Sequence, residues 1–154
     1  MKLRLLCVGK PRNAAADTLF QDYAGRLRKL GVDFRDAYVP ETRAGGRYSD
    51  AHVREREAKA LREAIDRGER LITLDPTGSP LSSEQLAEQL QRWAQPSACF
   101  VIGGPLGLDP SLVREATASW SLGAGTFPHE LARLLVAEQL YRAVTIRRGM
   151  PYHK

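Results

Sequence analysis

Three segments rich in small residues have the composition of ligand-binding loops. Each follows an apolar run of strand length, and they comprise residues 75–80, 103–109 and 123–127. In open α/β sheets, ligands bind outside the carboxyl ends of the strands, where such loops converge. Glycine allows the backbone of a loop to approach a ligand closely. A tight turn explains one such loop, but three in succession favour a binding site in the C-terminal half of the chain.

The glycine-rich segment at residues 103–107 lacks the spacing of the common nucleotide-binding motifs. Its sequence, GGPLG, matches neither the G-x-G-x-x-G pattern nor a Walker motif, and no Lys-Ser or Lys-Thr pair follows it. A conventional dinucleotide-binding site and an NTPase are therefore disfavoured.

The elements that would position these loops follow from the hydrophobic pattern. Apolar runs of strand length alternate with segments of helical period, which is typical of an α/β sheet with helices on its faces. Ser82 with Gln85 offers a capping box, and Asp109 followed by Pro110 offers a second helix start. The predicted strands are residues 3–9, 32–39, 71–74, 98–102 and 120–122, and the predicted helices are residues 17–30, 49–67, 82–93, a helix from 109, and 128–146.

Composition limits the class of protein. The chain has 154 residues, 43% of them hydrophobic, which is enough for one well-packed core, so we predict a single domain over residues 1–154. No apolar run approaches the roughly 20 residues of a membrane span, and the first residues lack a signal-peptide pattern, which predicts a cytoplasmic protein without membrane contact.

The two cysteines, Cys7 and Cys99, lie in apolar runs. We therefore predict buried thiols, and neither a disulfide nor a bound metal.

Positive charge is concentrated in two places. The 23 Lys and Arg residues exceed the 18 Asp and Glu residues, giving a formal charge of +5. Arg43 and Arg47 flank a pair of glycines in a loop at residues 40–47, and Arg147, Arg148 and Lys154 lie in the last eight residues. Such a balance favours association with a polyanion but does not by itself identify a nucleic-acid-binding protein.

Three segments resemble the signature of a known enzyme family. FVIGGPLGL at residues 100–108, WSLGAGTFPHELARLLVAEQLYRA at residues 120–143 and the terminal PYHK are similar to the RlmH family of SPOUT-class methyltransferases, which act on a pseudouridine of large-subunit ribosomal RNA. The similarity extends over the whole chain, including the opening KLRLLCVGK. It implies an α/β knot, in which a mostly parallel sheet is flanked by helices and the C-terminal segment threads a trefoil knot.

The resemblance also implies a cofactor and a quaternary structure. The cofactor is S-adenosyl-L-methionine, and the family is homodimeric, with each active site completed near the partner subunit. Gly123 and Gly125 stand where relatives commonly have bulkier or hydroxylic residues, which predicts modest cofactor affinity because ordering glycine costs extra entropy. The implied cofactor-binding residues are Leu74, Gly103, Gly104, Leu122, Gly123, Ala124, Gly125, Thr126 and Phe127.

The implied reaction is methylation of ring nitrogen N-3 of a pseudouridine in a hairpin loop of 23S rRNA, on the assembled ribosome. An unstacked loop base exposes the edge that must be reached. Because the imide nitrogen must lose its proton, a base or a group that stabilises the ring anion is expected, and His153 is a candidate base. Tyr152 would stack or hydrogen-bond, while Lys154, Arg142, Arg147 and Arg148 would contact RNA. Without the resemblance, a frayed and solvated tail would explain these terminal residues.

Glu138 and Arg142 are four residues apart on the last helix, in the order that favours an ion pair. They share a helix face with Leu131 and Leu135, so we expect them at a dimer interface and active site rather than in bulk water. For His129, at the start of that helix, a capping or packing role fits the sequence at least as well as a catalytic role. His52 is predicted to be a solvated surface residue.

Two other functions fit parts of the sequence. The first is a non-catalytic ribosome-associated or RNA-binding module in which the basic loop and tail bind phosphate. The second is a SPOUT enzyme that modifies tRNA, although that group usually appends a separate RNA-binding domain. Methyl transfer to ribosomes and not to tRNA would exclude both.

Overall fold

A five-stranded parallel sheet forms the centre of the protein, as seen in a computed structural model that describes residues 1–43 and 45–154. The strand order is β2-β1-β4-β3-β5, and every neighbouring pair is parallel. The predicted mostly parallel α/β sheet with flanking helices is confirmed, whereas the trefoil knot stays a prediction. The strands are β1 (Lys2–Val8), β2 (Asp33–Val39), β3 (Glu69–Pro80), β4 (Ser97–Ile102) and β5 (Ala118–Ser121).

Helices cover both faces of the sheet. They are α1 (Ala14–Lys29), α2 (Asp50–Ala64), α3 (Ser83–Trp93), α4 (Pro110–Glu115) and α5 (His129–Arg147). Side chains alternate between the two faces along a strand, so Leu3 and Leu5 pack in a core with α1, α3 and α5, while Leu6 and Val8 pack in a second core with α2 and α4. The two cores hold the sheet rigid between helical layers, with the carboxyl ends of all five strands at one edge.

Capping motifs in the sequence predicted the starts of two helices, α3 and α4, correctly. The capping box of α3 is confirmed, because Gln85 N–H donates to the Ser82 hydroxyl at 3.2 Å and Ser82 N–H donates to the Gln85 side chain at 2.9 Å. The Asp109 side chain accepts a hydrogen bond from Ser111 N–H at 2.8 Å at the start of α4. Both caps satisfy first-turn N–H groups that have no partner within the helix.

Other boundaries were wrong by about one helical turn. Helix α1 begins at Ala14 rather than at residue 17, because the Asn13 side chain accepts a hydrogen bond from Ala16 N–H and caps the helix earlier. Helix α2 ends at Ala64 rather than at residue 67, where Ile65 adopts an extended backbone. Ala44, within the basic loop predicted at residues 40–47, lies outside the described residues.

The loop predicted at residues 75–80 is in fact a continuation of β3. Pairing with β5 breaks off after Leu74, shifts in register, and resumes where Ser79 pairs with Trp120. The two backbones come close here, since a Cβ on Gly78 would lie 2.7 Å from the carbonyl carbon of Ser119. Only glycine permits this approach, which brings the bulged segment against β5 at the carboxyl edge of the sheet.

The two cysteines are buried free thiols, as predicted. Burial raises the pKa of each thiol to about 12, because the thiolate would have to leave water. In the part of the chain that the structure describes, no group of three or more His, Cys, Asp or Glu side chains could hold a metal ion. Among the same residues, no helix is long and apolar enough to cross a membrane.

A buried arginine joins α5 to α1 and β2. The Arg133 side chain is only 4% exposed and donates to Asp17 at 2.8 Å and to Asp36 at 3.1 Å. Its guanidinium carbon lies 3.3 Å from the centre of the Phe20 ring, and Tyr38 also donates to Asp36, at 2.7 Å. Because the charge is paired and hydrogen-bonded, its burial is tolerated and fixes where α5 sits.

We expect Arg133→Ala to lower the free energy of unfolding by about 3 kcal/mol, the low end for breaking a buried ion pair, because Asp17 is partly exposed. Asp36, whose side chain is 17% exposed, would lose its buried arginine partner. Urea unfolding followed by circular dichroism measures the change. Arg26→Ala, which removes an exposed arginine paired with Asp22 on α1, is the control and should change stability far less. Equal effects of the two substitutions would contradict the role assigned to Arg133.

Candidate functional site

A cavity of about 660 Å³ opens at the carboxyl ends of β3, β4 and β5. This volume lies within the range of about 300–1,000 Å³ that is typical of small-molecule sites. The three glycine-containing segments predicted from the sequence converge here, and the first turn of α5 closes one wall. The lining residues are Leu74, Asp75, Pro76, Ile102, Gly103, Gly104, Pro105, Leu106, Gly107, Leu108, Trp120, Leu122, Gly123, Gly125, Thr126, Phe127, Pro128, His129 and Ala132.

The structure brings the expected cofactor-binding residues together around this cavity. Eight of the nine line it, and the ninth, Ala124, is exposed and does not. The eight are Leu74, Gly103, Gly104, Leu122, Gly123, Gly125, Thr126 and Phe127. The additional lining residues lie in the same loops, in the strands that lead into them, or at the start of α5, and their position in the sequence beside the expected set was the available signal.

The loop after β4 folds back tightly on itself. Gly107 N–H donates to the Gly104 carbonyl at 2.9 Å, and a Cβ on Gly103 would lie 2.8 Å from the carbonyl carbon of Gly107. No side chain fits at Gly103 without displacing backbone. This wall of the cavity therefore consists of closely packed main chain, whose polar groups suit the polar edges of a small ligand.

The loop after β5 is anchored at its first residues. Gly123 N–H donates to the Ser121 hydroxyl at 3.1 Å, and that hydroxyl oxygen lies 3.2 Å from the carbonyl oxygen of Pro76 in the bulged part of β3. Ser121 thereby joins two walls of the cavity. This contact limits the freedom that the glycines would otherwise give to the loop.

A second group of expected residues forms a polar cluster on the other half of α5, which we call the tail cluster: Glu138, Arg142, Tyr152 and His153. Arg142 donates to Glu138 through Nε at 3.0 Å and through Nη2 at 2.5 Å. Tyr152 donates to the same carboxylate at 3.0 Å, and its ring centre lies 4.7 Å from the guanidinium carbon of Arg142. The C-terminal residues therefore pack on α5 rather than fray into solvent.

Both ring nitrogens of His153 have partners. Nε2 lies 2.8 Å from a carboxylate oxygen of Glu84, and Nδ1 lies 3.4 Å from Nη1 of Arg142. Since a guanidinium only donates, these contacts favour the tautomer that has its proton on Nε2 and its lone pair on Nδ1. The pKa of Glu84 is lowered to about 2 by hydrogen bonds from its own backbone N–H, from Ser82 and from His153.

Sequence reasoning missed Tyr23 and Glu84 at the tail cluster. The Tyr23 hydroxyl lies 3.3 Å from that of Tyr152. Desolvation, together with hydrogen bonds to Tyr23 and Glu138, raises the pKa of Tyr152, so its phenol stays protonated at neutral pH. Tyr23 belongs to the helical stripe of α1 that faces the core, and no spacing within one sequence links it to a tail 129 residues away.

The cavity and the tail cluster lie apart on the chain. Ala132 lines the cavity, while Arg142 is ten residues further along the same helix. At 1.5 Å per residue, this separates them by about 15 Å along the helix axis. Arg147, Arg148 and Lys154, expected to contact RNA, are exposed at the far end of α5 and in the tail. His129 lines the cavity, and His52 is exposed as predicted.

Comparison with known proteins identifies the family. Residues 1–153 match the family described as "Predicted SPOUT methyltransferase". The chain is 38% identical over its whole length to the complete "Ribosomal RNA large subunit methyltransferase H" of Pseudomonas putida (strain W619). A solved structure, a probable methylase family protein from Haemophilus influenzae Rd KW20, has a similar fold: the TM-score is 0.57 and the identity 13%, over 99% of this chain and 70% of that one. The sequence, the parallel sheet and these matches together show that the chain belongs to the SPOUT methyltransferases.

Proposed function

We propose that this protein transfers a methyl group from S-adenosyl-L-methionine to ring nitrogen N-3 of a pseudouridine in a hairpin loop of 23S rRNA, on the assembled ribosome in the cytoplasm. The observation that carries the proposal is the cavity at the carboxyl edge, which gathers eight of the nine expected cofactor-binding residues. Membership of a methyltransferase family supports the reaction type. The printed name of the 38% identical relative supports large-subunit rRNA as the target.

The cavity fits a cofactor of this kind. The wall at Gly103 is closely packed main chain, where a Cβ would meet the Gly107 backbone, and Leu74, Leu106 and Trp120 provide apolar surface for a flat base. S-adenosyl-L-methionine, when bound, supplies a methyl group that its sulfonium already activates. The protein must then orient the ring nitrogen towards this methyl group. Good orientation lowers a bimolecular barrier by about 7–11 kcal/mol.

The tail cluster is the proposed site of proton removal from the imide. His153 accepts the proton at Nδ1, because Nε2 is held by Glu84. Arg142, whose Nη1 lies 3.4 Å from that nitrogen, moves away from it to the ring anion and stabilises the anion by charge and hydrogen bonding. Glu138 holds Arg142 and Tyr152 in place. Arg147, Arg148 and Lys154 contact the RNA backbone beside it.

We also propose a homodimer in which the tail cluster of one subunit meets the cavity of the other. The separation of about 15 Å along α5 within one subunit supports this arrangement, since the methyl group and the base must meet. Three large apolar side chains are exposed around the start of α5 and on α1, namely Leu131 (46%), Phe127 (40%) and Leu19 (52%). Apolar surface of this kind is typical of a protein interface.

The test is transfer of labelled methyl from S-adenosyl-L-methionine to ribosomes that carry unmethylated pseudouridine. We expect wild-type protein to label the rRNA and His153→Ala to lose about 100-fold or more in rate, the contribution of a general base. Lys29→Ala, which alters an exposed residue at the end of α1 and outside both sites, is the control and should retain full activity. Purified tRNA in place of ribosomes should remain unlabelled.

Three results would contradict the proposal at different points. A wild-type protein that binds the cofactor but labels no rRNA would have another substrate. Label in tRNA would assign the enzyme to that RNA. Full activity of His153→Ala would remove the base from the mechanism while leaving methyl transfer in place.

A further inference from the structure

A tight loop between β2 and α2 presents two arginines to solvent. We call residues 42, 43 and 45–48 the basic loop. Arg43 and Arg47 are both exposed. Two of the neighbouring carboxylates have other partners, since Glu41 lies 3.7 Å from Arg12 and Glu55 lies 3.9 Å from His52. Because both arginines of the basic loop are exposed, their guanidiniums are accessible to an external anion.

Both ends of the basic loop are fastened to α2. At one end, Thr42 N–H donates to the Glu57 carboxylate at 3.0 Å. At the other end, the Tyr48 ring stacks on His52 with 4.8 Å between ring centres, and Arg56 donates to the Tyr48 hydroxyl at 3.1 Å. An ordered loop loses little further entropy when it binds a partner. These contacts fix both ends of the basic loop and so limit the conformational freedom of the two arginines before binding.

The Glu57 side chain also connects the basic loop with the cavity. Glu57 is 3% exposed. Its carboxylate packs against Gly104, a residue of the cavity wall, since a Cβ built on Gly104 would lie 3.2 Å from both carboxylate oxygens. One buried carboxylate therefore separates the basic loop from the cavity. Lys10, exposed on the loop after the neighbouring strand β1, adds a third positive charge at the same edge of the sheet.

We infer that the basic loop binds the phosphodiester backbone of the RNA next to the target nucleotide, an inference that rests on the proposed function. A ribose-phosphate chain presents one anionic group per nucleotide, and arginine matches its oxygens with a planar pair of donors. The position of the loop, beside the cavity and at the carboxyl edge, places these contacts where RNA must pass for a loop base to reach the cavity. Neither Arg43 nor Arg47 belongs to the cavity or to the tail cluster.

The test compares two double variants that each remove two exposed positive charges. Arg43→Ala with Arg47→Ala alters the basic loop, and Lys29→Ala with Arg67→Ala alters the opposite edge of the sheet, at the end of α1 and before β3. Affinity for ribosomes carrying unmethylated pseudouridine is measured over a series of KCl concentrations. We expect the slope of log K against log [KCl] to become shallower by about 1.4 for the loop variant, at about 0.7 per lost phosphate contact, and to stay unchanged for the control.

Cofactor binding by calorimetry should be unchanged in both variants, which verifies the fold. A loop variant with wild-type affinity and slope, or an equal loss in the control, would overturn the inference. Wild-type protein that does not bind ribosomes would overturn it together with the proposed function. Wild-type protein that binds ribosomes with the expected difference in slope, but transfers no methyl group, would refute the proposed function alone.

Discussion

Arg142→Ala is expected to lower the rate of methyl transfer by about 100-fold to 1,000-fold, the effect of removing one donor that stabilises a developing anion. Arg142 holds Glu138 and approaches His153, so its loss removes the charge and also releases the tail. Affinity for S-adenosyl-L-methionine should change little, because Arg142 is not among the residues that line the cavity. Single-turnover transfer and calorimetric titration of the cofactor measure the two quantities separately.

The conservative variant Arg142→Lys separates charge from geometry. Lysine keeps the positive charge but lacks the planar fork that engages Glu138 through two nitrogens. We expect its transfer rate to lie between those of wild type and Arg142→Ala. Equal losses of transfer and of cofactor affinity in Arg142→Ala would contradict the assigned role and would indicate that Arg142 supports the cavity instead.

Gly103→Ala is expected to weaken cofactor binding by about tenfold to 100-fold, as overpacking by one methyl group costs about 1–3 kcal/mol. The added Cβ would meet Gly107 backbone at 2.8 Å, so the wall of the cavity must shift. Gly25→Ala, on α1 and outside the cavity, is the matched control. A Cβ there meets nothing within 4 Å, and its backbone is not in the left-handed region, so affinity should be close to wild type. Unchanged affinity in Gly103→Ala would remove this loop from the cofactor site.

Mixing the two impaired proteins, at a cofactor concentration that saturates the wild-type protein but not Gly103→Ala, tests the shared site directly. If each site combines the cavity of one subunit with the tail cluster of the other, a dimer of one Gly103→Ala and one Arg142→Ala subunit contains one intact site. Random exchange of subunits should then restore about a quarter of the wild-type activity. No recovery after verified exchange would show that cavity and tail cluster act within a single subunit.

Features that depend on neighbouring residues could be read directly from the sequence. The strand and helix order, the cap formed by Ser82 and Gln85, and the glycine loops that line the cavity all depend on side-chain type and short spacing. Because parallel strands end at one edge, loops that follow them must lie together once the fold class is known. The placement of eight expected residues around one cavity is a consequence of that rule.

Features that depend on distant partners were decided by the tertiary structure. The continuation of β3 to Pro80 requires pairing with β5, whose register is set by a bulge and by the close approach of Gly78 to Ser119. A single sequence carries turn signals for this segment but no record of its partner strand.

The tail cluster and the basic loop depend on partners brought together by packing of the helices on the sheet. Glu84 approaches His153 because α3 packs beside α5, and Glu57 approaches Gly104 because α2 covers the opposite face. Residue type showed that His153 can accept a proton. Which groups contact its two ring nitrogens follows from packing between elements, as Glu84 on α3 shows, since hydrogen bonds and ion pairs act over a few ångströms in space.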